Sequence, residues 1–324
     1  MSFAAFSGEG QYPTIVLPTL SGRSVIMLVD QAVFTSVRTD RRAGYQLAAV
    51  SSGITETEAR DLSAWGPTHD SLFDPTPTGR SLNFHLLSTG RYAVSWTAPT
   101  GVEYSGRSGP CISTQFFIAA PEALELLGNN PFCMLERLLE AGHLRLPVPL
   151  PPRLTAIQLS ARPAPSVASL VRKSVEDWGA WELATLVHQA MHENAVALHA
   201  SAAPEPLLAT LLYLVPAAIR PAMTFVTGLR ASASRPVRLF VLPPEPVEQR
   251  RVIRQTRAAI WQPDKLRGTR PVGLCSWAEM LGTALMDHRT VELCDFIAQP
   301  RPWATVAGLD LLAAEFLGKG AAVG

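Results

Sequence analysis

Two histidines, His188 and His192, stand four residues apart in the stretch 186–200, LVHQAMHENAVALHA. On a helix this spacing places both imidazoles on one face, the arrangement that binds zinc in metalloproteases. That pattern needs a glutamate directly after the first histidine to act on the metal-bound water, and Gln189 stands there instead. His199 could supply a third ligand, but its apolar alternate neighbours favour a buried strand. We therefore predict no metal site and no cofactor.

Cysteine nucleophiles are a second kind of candidate chemistry. The four cysteines form no CxxC pair, which is typical of reduced, buried thiols. Cys275 and Cys294 share the C-terminal part of the chain with His288, but a Cys–His pair needs contact in space and an activated thiolate. No local pattern indicates either, so packing is favoured. The sequence also has no GxSxG elbow, no GxxxxGK[ST] loop and no GxGxxG after a strand.

Arginines form two candidate contact sites. Arg107 lies between glycines in the stretch 104–110, YSGRSGP, where its guanidinium and backbone N–H groups could meet an anion. The alternative there is a flexible hairpin loop. Arg250, Arg254 and Arg257 follow i, i+4, i+7 spacing and predict one basic helix face. That face is either solvated or a docking surface for an acidic partner.

The composition limits the class of partner. The 324 residues carry a formal net charge of +1, with 47% hydrophobic and 17% charged residues. Such a chain folds, but it has no overall electrostatic attraction to nucleic acid or anionic lipid. The first twenty residues lack a secretory pattern, and no apolar run is long enough to cross a bilayer. We expect a cytoplasmic protein that contacts neither nucleic acid nor membrane.

The chain changes its hydrophobic period at a proline-rich stretch, 146–154, which predicts a change of architecture. We predict an α+β fold: a sheet-rich α+β domain over residues 1–120, a helical and proline-rich connector over 121–155, an α/β layer over 156–245 with at least one parallel strand pair, and a helical region over 246–324. Thr55 and Glu58 predict a capping box at the start of a short helix in the first domain.

Several blocks resemble a known family. The N-terminal blocks AGYQLAAVSSGIT (43–55), SLNFHLLSTGRYAVSW (81–96) and GRSGPCISTQFFI (106–118) resemble the N-terminal domain of bacterial GTPase-associated proteins. Residues 207–243 resemble the middle domain of the same family. The sequence departs from the family pattern at Pro110 and Gln115. The element order over 186–243 is also similar to DENN modules, in which a longin-like domain precedes an α/β domain.

The resemblance implies a non-catalytic adaptor that binds a partner GTPase in a bacterial NTP-dependent conflict, or defence, system as part of a hetero-oligomer. The residues expected at the interface are Tyr45, Gln46, Arg107, Arg250, Arg254 and Arg257. Two alternatives stay open. One is a hydrolase that uses the histidines with a metal, or the Cys275 thiol. The other is a regulator of GTP exchange or hydrolysis that supplies Arg107 as an arginine finger.

Overall fold

A single mixed sheet connects the N-terminal part of the chain to its C-terminal third. The computed structural model describes residues 25–38, 43–102, 110–146, 149–161, 167–199, 204–232, 234–263 and 270–321. The strands are β1 (Val25–Arg38), β2 (Ala43–Ser51), β3 (Ser81–Leu86), β4 (Tyr92–Val102), β5 (Pro110–Ala119), β6 (Arg153–Leu154), β7 (Ile157–Ala161), β8 (Val196–Leu198), β9 (Phe225–Val226), β10 (Leu239–Val241) and β11 (Ala259–Trp261). Ten strands run in the order β11-β8-β10-β9-β3-β4-β5-β1-β2-β6, and β7 pairs with the first half of β1.

Helices cover both faces of this sheet. They are α1 (Glu56–Trp65), α2 (Pro121–Glu125), α3 (Pro131–Glu140), α4 (Ala168–Trp178), α5 (Ala180–His192), α6 (Pro204–Tyr213), α7 (Pro246–Thr256), α8 (Ser276–Met286), α9 (Thr290–Ala298) and α10 (Leu309–Ala321). The fold is α+β, as the sequence predicts, with a sheet-rich N-terminal region followed by helices. No helix of the described ranges has both the length and the apolar content needed to cross a membrane.

The sheet has an antiparallel half and a parallel half. Strands β3, β4, β5, β1 and β2 pair antiparallel with one another in that order, and the short β6 pairs parallel with the outer edge of β2. Strand β8 pairs parallel with β10 and β11, and β10 pairs parallel with β9, which confirms the predicted parallel pairing. Strand β9 also pairs antiparallel with β3, so the two halves form one sheet. The predicted boundaries near residues 120, 155 and 245 do not separate independent sheets, and they stay a prediction.

Side-chain alternation divides the core between the two faces. Val94 and Phe117 point into the largest core, which also includes apolar residues of α3 to α6 and α8 to α10. Their strand neighbours Ala93 and Ile118 point to the other face and pack with Leu62 of α1. On that same side of the parallel half, α7 covers the strands through a smaller apolar cluster. Helices α1 and α7 therefore lie opposite the main helical layer.

One predicted helix ends earlier than the sequence suggested. Residues 247–260 predicted a continuous helix, but α7 ends at Thr256 and the next residues form strand β11. Arg257 follows the helix in a left-handed conformation, with φ of 54°, which stops the helical hydrogen bonding. The short apolar run after it pairs with β8, because burying Trp261 against α5 outweighs helical propensity. The region 246–324 is thus not wholly helical.

Candidate functional site

The structure brings His188 and His192 together with Cys275, a residue that the sequence had not associated with them. The two imidazoles follow each other on the last turns of α5, with ring centroids 4.8 Å apart. Cys275 directly precedes α8, at the N-cap position, and its backbone N–H donates to Nδ1 of His188 at 3.1 Å. One side-chain donor atom from each of the three residues lies within 4.8 Å of the others. This cluster places two nitrogen ligands and one sulfur ligand at the contact between α5 and α8.

Buried contacts fix the two helices that carry this cluster. The Trp277 indole N–H, in the first turn of α8, donates to the backbone oxygen of Leu214 at 3.1 Å. The Trp261 indole N–H donates to the backbone oxygen of Glu182 in α5 at 2.9 Å. Both indoles are fully buried. Indole N–H groups in a core need such partners, so these bonds set the positions of both helices.

Burial favours the neutral forms of His188 and Cys275. Burial is the main cause that lowers the pKa of His188, and the neighbouring His192 lowers it further while Glu193 opposes the shift. Burial also raises the pKa of the Cys275 thiol, although backbone N–H groups of Ala278 and Trp277 near the sulfur act in the opposite direction. A thiol whose pKa is raised is a poor nucleophile at neutral pH. The raised pKa therefore disfavours a free thiolate at Cys275, and a metal ion that binds this sulfur must displace its proton.

The other cysteine and histidine candidates lie apart from this cluster. Cys294 is buried in α9, and burial raises the pKa of its thiol to about 11. His288 is exposed beyond the end of α8, in a left-handed conformation. His199 directly follows β8, where its backbone N–H donates to the carbonyl of Trp261 at 3.1 Å. It lines a cavity of about 420 Å³ with Arg80 and Glu205 at the carboxyl ends of the parallel strands, the edge where open α/β sheets commonly bind ligands.

Tyr45 and Gln46 lie on β2 and take part in internal contacts. The Tyr45 hydroxyl accepts a hydrogen bond from the Ile112 backbone N–H at 3.2 Å, and its ring packs near Phe34. The Gln46 amide donates to the Val37 carbonyl at 3.4 Å. Both side chains are half-buried. The structure thus gives them a role in holding β2 in the sheet, and their place at an interface stays a prediction.

The two positions that depart from the family pattern are structural here. Pro110 begins β5 and pairs with Val102, at the end of a strand where the missing N–H costs little. Gln115 is buried, and its amide donates to the backbone oxygen of His143 at 3.3 Å. The glutamine thereby ties β5 to the turn after α3. Arg107 lies outside the described residues, so the arginine-finger hypothesis stays a prediction from the sequence.

The basic face on α7 is smaller than the sequence predicted. Arg250 and Arg254 are exposed one turn apart, but Arg257 lies beyond the helix end and does not continue their face. The Glu248 carboxylate forms ion pairs with the guanidinium groups of Arg251, at 2.7 Å, and Arg230, at 3.8 Å. Arg254 bonds the backbone oxygen of Arg250 at 3.2 Å. Within the described residues neither Arg250 nor Arg254 forms an ion pair.

A buried ionic cluster of the N-terminal half was not predicted as such. The Arg91 guanidinium approaches Asp30 of β1 at 2.6 Å and Glu58 of α1 at 3.4 Å. Glu58 is also the capping-box partner of Thr55, as predicted. Burial alone would raise the pKa of Glu58, but hydrogen bonds from Thr55 and Thr89, with the Arg91 charge, hold it below its usual value. The sequence indicated the role of Glu58 through the capping box, but not its cation, because Arg91 lies in a turn that is distant along the chain.

Together the sheet-rich N-terminal half and the parallel half, which helices cover on both faces, define an α+β protein with a basic helix on one surface. Comparison with protein families then gives a more particular assignment. Residues 28–146 match the family described as GTPase-associated protein 1, N-terminal domain type 2. The match runs from β1 past the end of α3 and confirms the resemblance to GTPase-associated proteins for this part of the chain. It does not reach residues 207–243, whose resemblance stays a prediction.

Comparisons with curated proteins and with solved structures found no match. The DENN-like and longin-like similarity is accordingly unconfirmed and remains an interpretation of the order of elements.

Proposed function

We propose that this chain is a non-catalytic adaptor, or regulatory subunit, that binds a partner GTPase within a bacterial NTP-dependent conflict system. The observation that carries the proposal is the match of residues 28–146 to the N-terminal domain of a GTPase-associated protein. A domain named for its association with a GTPase favours a GTPase as the protein partner. The buried Cys294 and the raised pKa of the Cys275 thiol are compatible with an adaptor that does no thiol chemistry.

The exposed side of α7 is the surface that we assign to this contact. Arg250 and Arg254 extend from the same face of a helix anchored by Val252, which is buried against the sheet. Because no carboxylate of the described residues pairs with either guanidinium, both are free to meet acidic groups of a partner. An Arg–carboxylate contact across an interface also confers specificity, since a wrong partner leaves the charge unpaired.

Charge reversal tests this surface against the GTPase proposed as the partner. We expect Arg250→Glu with Arg254→Glu to weaken binding by at least about 10-fold at low salt, with a smaller difference at high salt. Arg172→Glu is the matched control for each single reversal, Arg250→Glu and Arg254→Glu, because Arg172 is also exposed on a helix and bonds the backbone oxygen four residues before it. Binding is measured by titration calorimetry with the GTPase loaded with GDP or with a GTP analogue.

The outcomes separate the partner from the surface. If the unaltered chain binds the GTPase in neither nucleotide state, the adaptor proposal is wrong. If the chain binds but the double reversal binds equally well, α7 is only a solvated helix and the contact lies elsewhere. If Arg172→Glu weakens binding as much as each single reversal, the effect is one of net charge and not of this surface.

A further inference from the structure

The described residues place three side chains of metal-ligand type at one point between α5 and α8. His188 and His192 project from successive turns of α5, and Cys275 is brought to them by the first turn of α8. Their donor atoms lie within 4.8 Å of one another. In a tetrahedral zinc site with metal–ligand bonds of about 2.0 to 2.3 Å, neighbouring donor atoms are about 3.3 to 3.6 Å apart. Side-chain rotations that move the donor atoms by about an ångström would therefore bring them to the spacing of a zinc site, with the two helices left in place.

We propose that His188, His192 and Cys275 form a zinc-binding site that links α5 to α8. The donor set selects the metal: imidazole and thiolate suit Zn²⁺, whereas Mg²⁺ and Ca²⁺ require oxygen ligands. The absence of a glutamate after His188 excludes the metalloprotease arrangement, but it does not bear on binding of the ion itself. The third ligand is a cysteine 87 residues away from His188 along the chain, which the histidine spacing could not indicate.

The surroundings of the cluster suit an ion that enters from solvent. His192 is exposed and the other two residues are half-buried, so solvent and a dissolved ion can reach the cluster. None of the three side chains forms an ion pair with a described residue. The buried Trp277 and Trp261 hold helices α5 and α8, which carry the ligands, in place. Binding of the ion therefore costs little conformational entropy of the backbone.

One hydrogen bond competes with binding of the ion and lowers the zinc affinity that we expect. Nδ1 of His188 accepts the Cys275 backbone N–H at 3.1 Å, which occupies that lone pair and leaves the proton of the neutral ring on Nε2. Zn²⁺ must either replace the N–H at Nδ1 or bind Nε2 after the ring proton moves from Nε2 to Nδ1, and both routes break this hydrogen bond. We therefore expect a single ion per chain, bound more weakly than in a four-ligand structural zinc site.

The test uses the untagged full-length chain after treatment with a chelator. Titration calorimetry with Zn²⁺ alone should give one ion per chain, and His192→Ala and Cys275→Ala should each weaken binding by at least about 100-fold. His143→Ala is the matched control, since it removes a histidine outside the cluster and should leave the affinity unchanged. Substitution with Co²⁺ should produce a thiolate-to-metal charge-transfer absorption that disappears in Cys275→Ala and persists in His143→Ala.

Because His192 is exposed, we expect His192→Ala to fold normally. Circular dichroism of the metal-free variants checks that they are folded. If Cys275→Ala fails to fold, His192→Ala with the Co²⁺ spectrum still decides the question. The proposal is overturned if the unaltered chain binds Zn²⁺ no more tightly than His192→Ala. It is equally overturned if stoichiometric binding persists in both ligand variants or if Co²⁺ shows no thiolate absorption.

Discussion

Arg91 joins three parts of the N-terminal half through one guanidinium. It lies between Asp30 of β1 and Glu58 of α1, and it also donates to the backbone oxygen of Gly53 at 3.2 Å. The Glu58 side chain is only 1% exposed and that of Asp30 15% exposed. A buried carboxylate whose cation is removed keeps its desolvation cost and loses the compensating charge. The cluster therefore makes the positions of α1 and β1 depend on one residue of the turn before β4.

We expect Arg91→Ala to lower the free energy of unfolding by about 3 kcal/mol, because it leaves two largely buried carboxylates without a cation. Lys173→Ala is the control: Lys173 also pairs at 2.6 Å, with Asp177, but both side chains are exposed. Solvent screens an exposed helical pair of this kind, so we expect its removal to change the free energy of unfolding little. Urea unfolding of the three proteins gives the comparison. Equal losses for the two variants would show that Arg91 has no special role.

At the residue scale, spacing along the chain predicts only what lies on one element. The i, i+4 spacing correctly places His188 and His192 on one helix face, and the Thr55–Glu58 pair correctly predicts a cap. Cys275 could not be associated with the histidines, since that contact depends on how α8 packs against α5. Contacts between distant elements depend on tertiary packing, which no local pattern encodes.

At the element scale, Gly282 lies in the middle of α8 where it faces the Trp181 ring of α5. A Cβ added there would overlap that ring. Glycine inside a helix normally costs about 1 kcal/mol relative to alanine, so propensity alone would predict that alanine stabilises the helix. The close approach of the two helices reverses this expectation, because the rigid indole must shift to admit a methyl group.

Gly282→Ala should accordingly lower the free energy of unfolding by about 1 to 3 kcal/mol. Gly318→Ala, in α10, should instead raise it by up to about 1 kcal/mol, since a Cβ there would have nothing within 4 Å. Thermal and urea unfolding of both variants measure the difference. A stabilising effect of Gly282→Ala would mean that α5 and α8 do not approach as closely as the structure has them.

Hydrophobic periodicity predicts many of the elements, and strand β11 shows where it fails. The helix that the Thr55–Glu58 capping box predicts and the parallel strand pair predicted for residues 156–245 both form. Strand β11 was predicted as helix because a run of three residues is too short to show a period. Its conformation is set by hydrogen bonds to β8, including Ala259 N–H to the Ala195 oxygen at 3.0 Å. A short stretch of sequence does not show which distant strand it will pair with.

At the scale of the whole molecule, the pairing of β3 with β9 joins two halves that the sequence treats as separate domains. The contact is short: Asn83 pairs with Val226, and Phe84 with Phe225. Side chains extend it, since the Thr227 hydroxyl accepts the Leu82 backbone N–H at 2.8 Å. The Phe225 ring also stacks on Phe132 at 5.4 Å. The matched family segment thus forms part of its core with residues that lie well beyond position 146.

We therefore expect the excised segment 28–146 not to unfold cooperatively by itself. Without the rest of the chain, β3 loses its partner β9 and becomes an edge strand. Phe84 and Phe117, which are fully buried in the intact chain, become exposed. The measurement is a urea titration followed by near-ultraviolet circular dichroism, together with binding of a dye that reports exposed apolar surface. The full-length chain, which keeps β9 and the helices that cover this face, is the control. A sharp unfolding transition of the fragment, without dye binding, would establish it as an independent domain and would show that the joined sheet is not required for its stability.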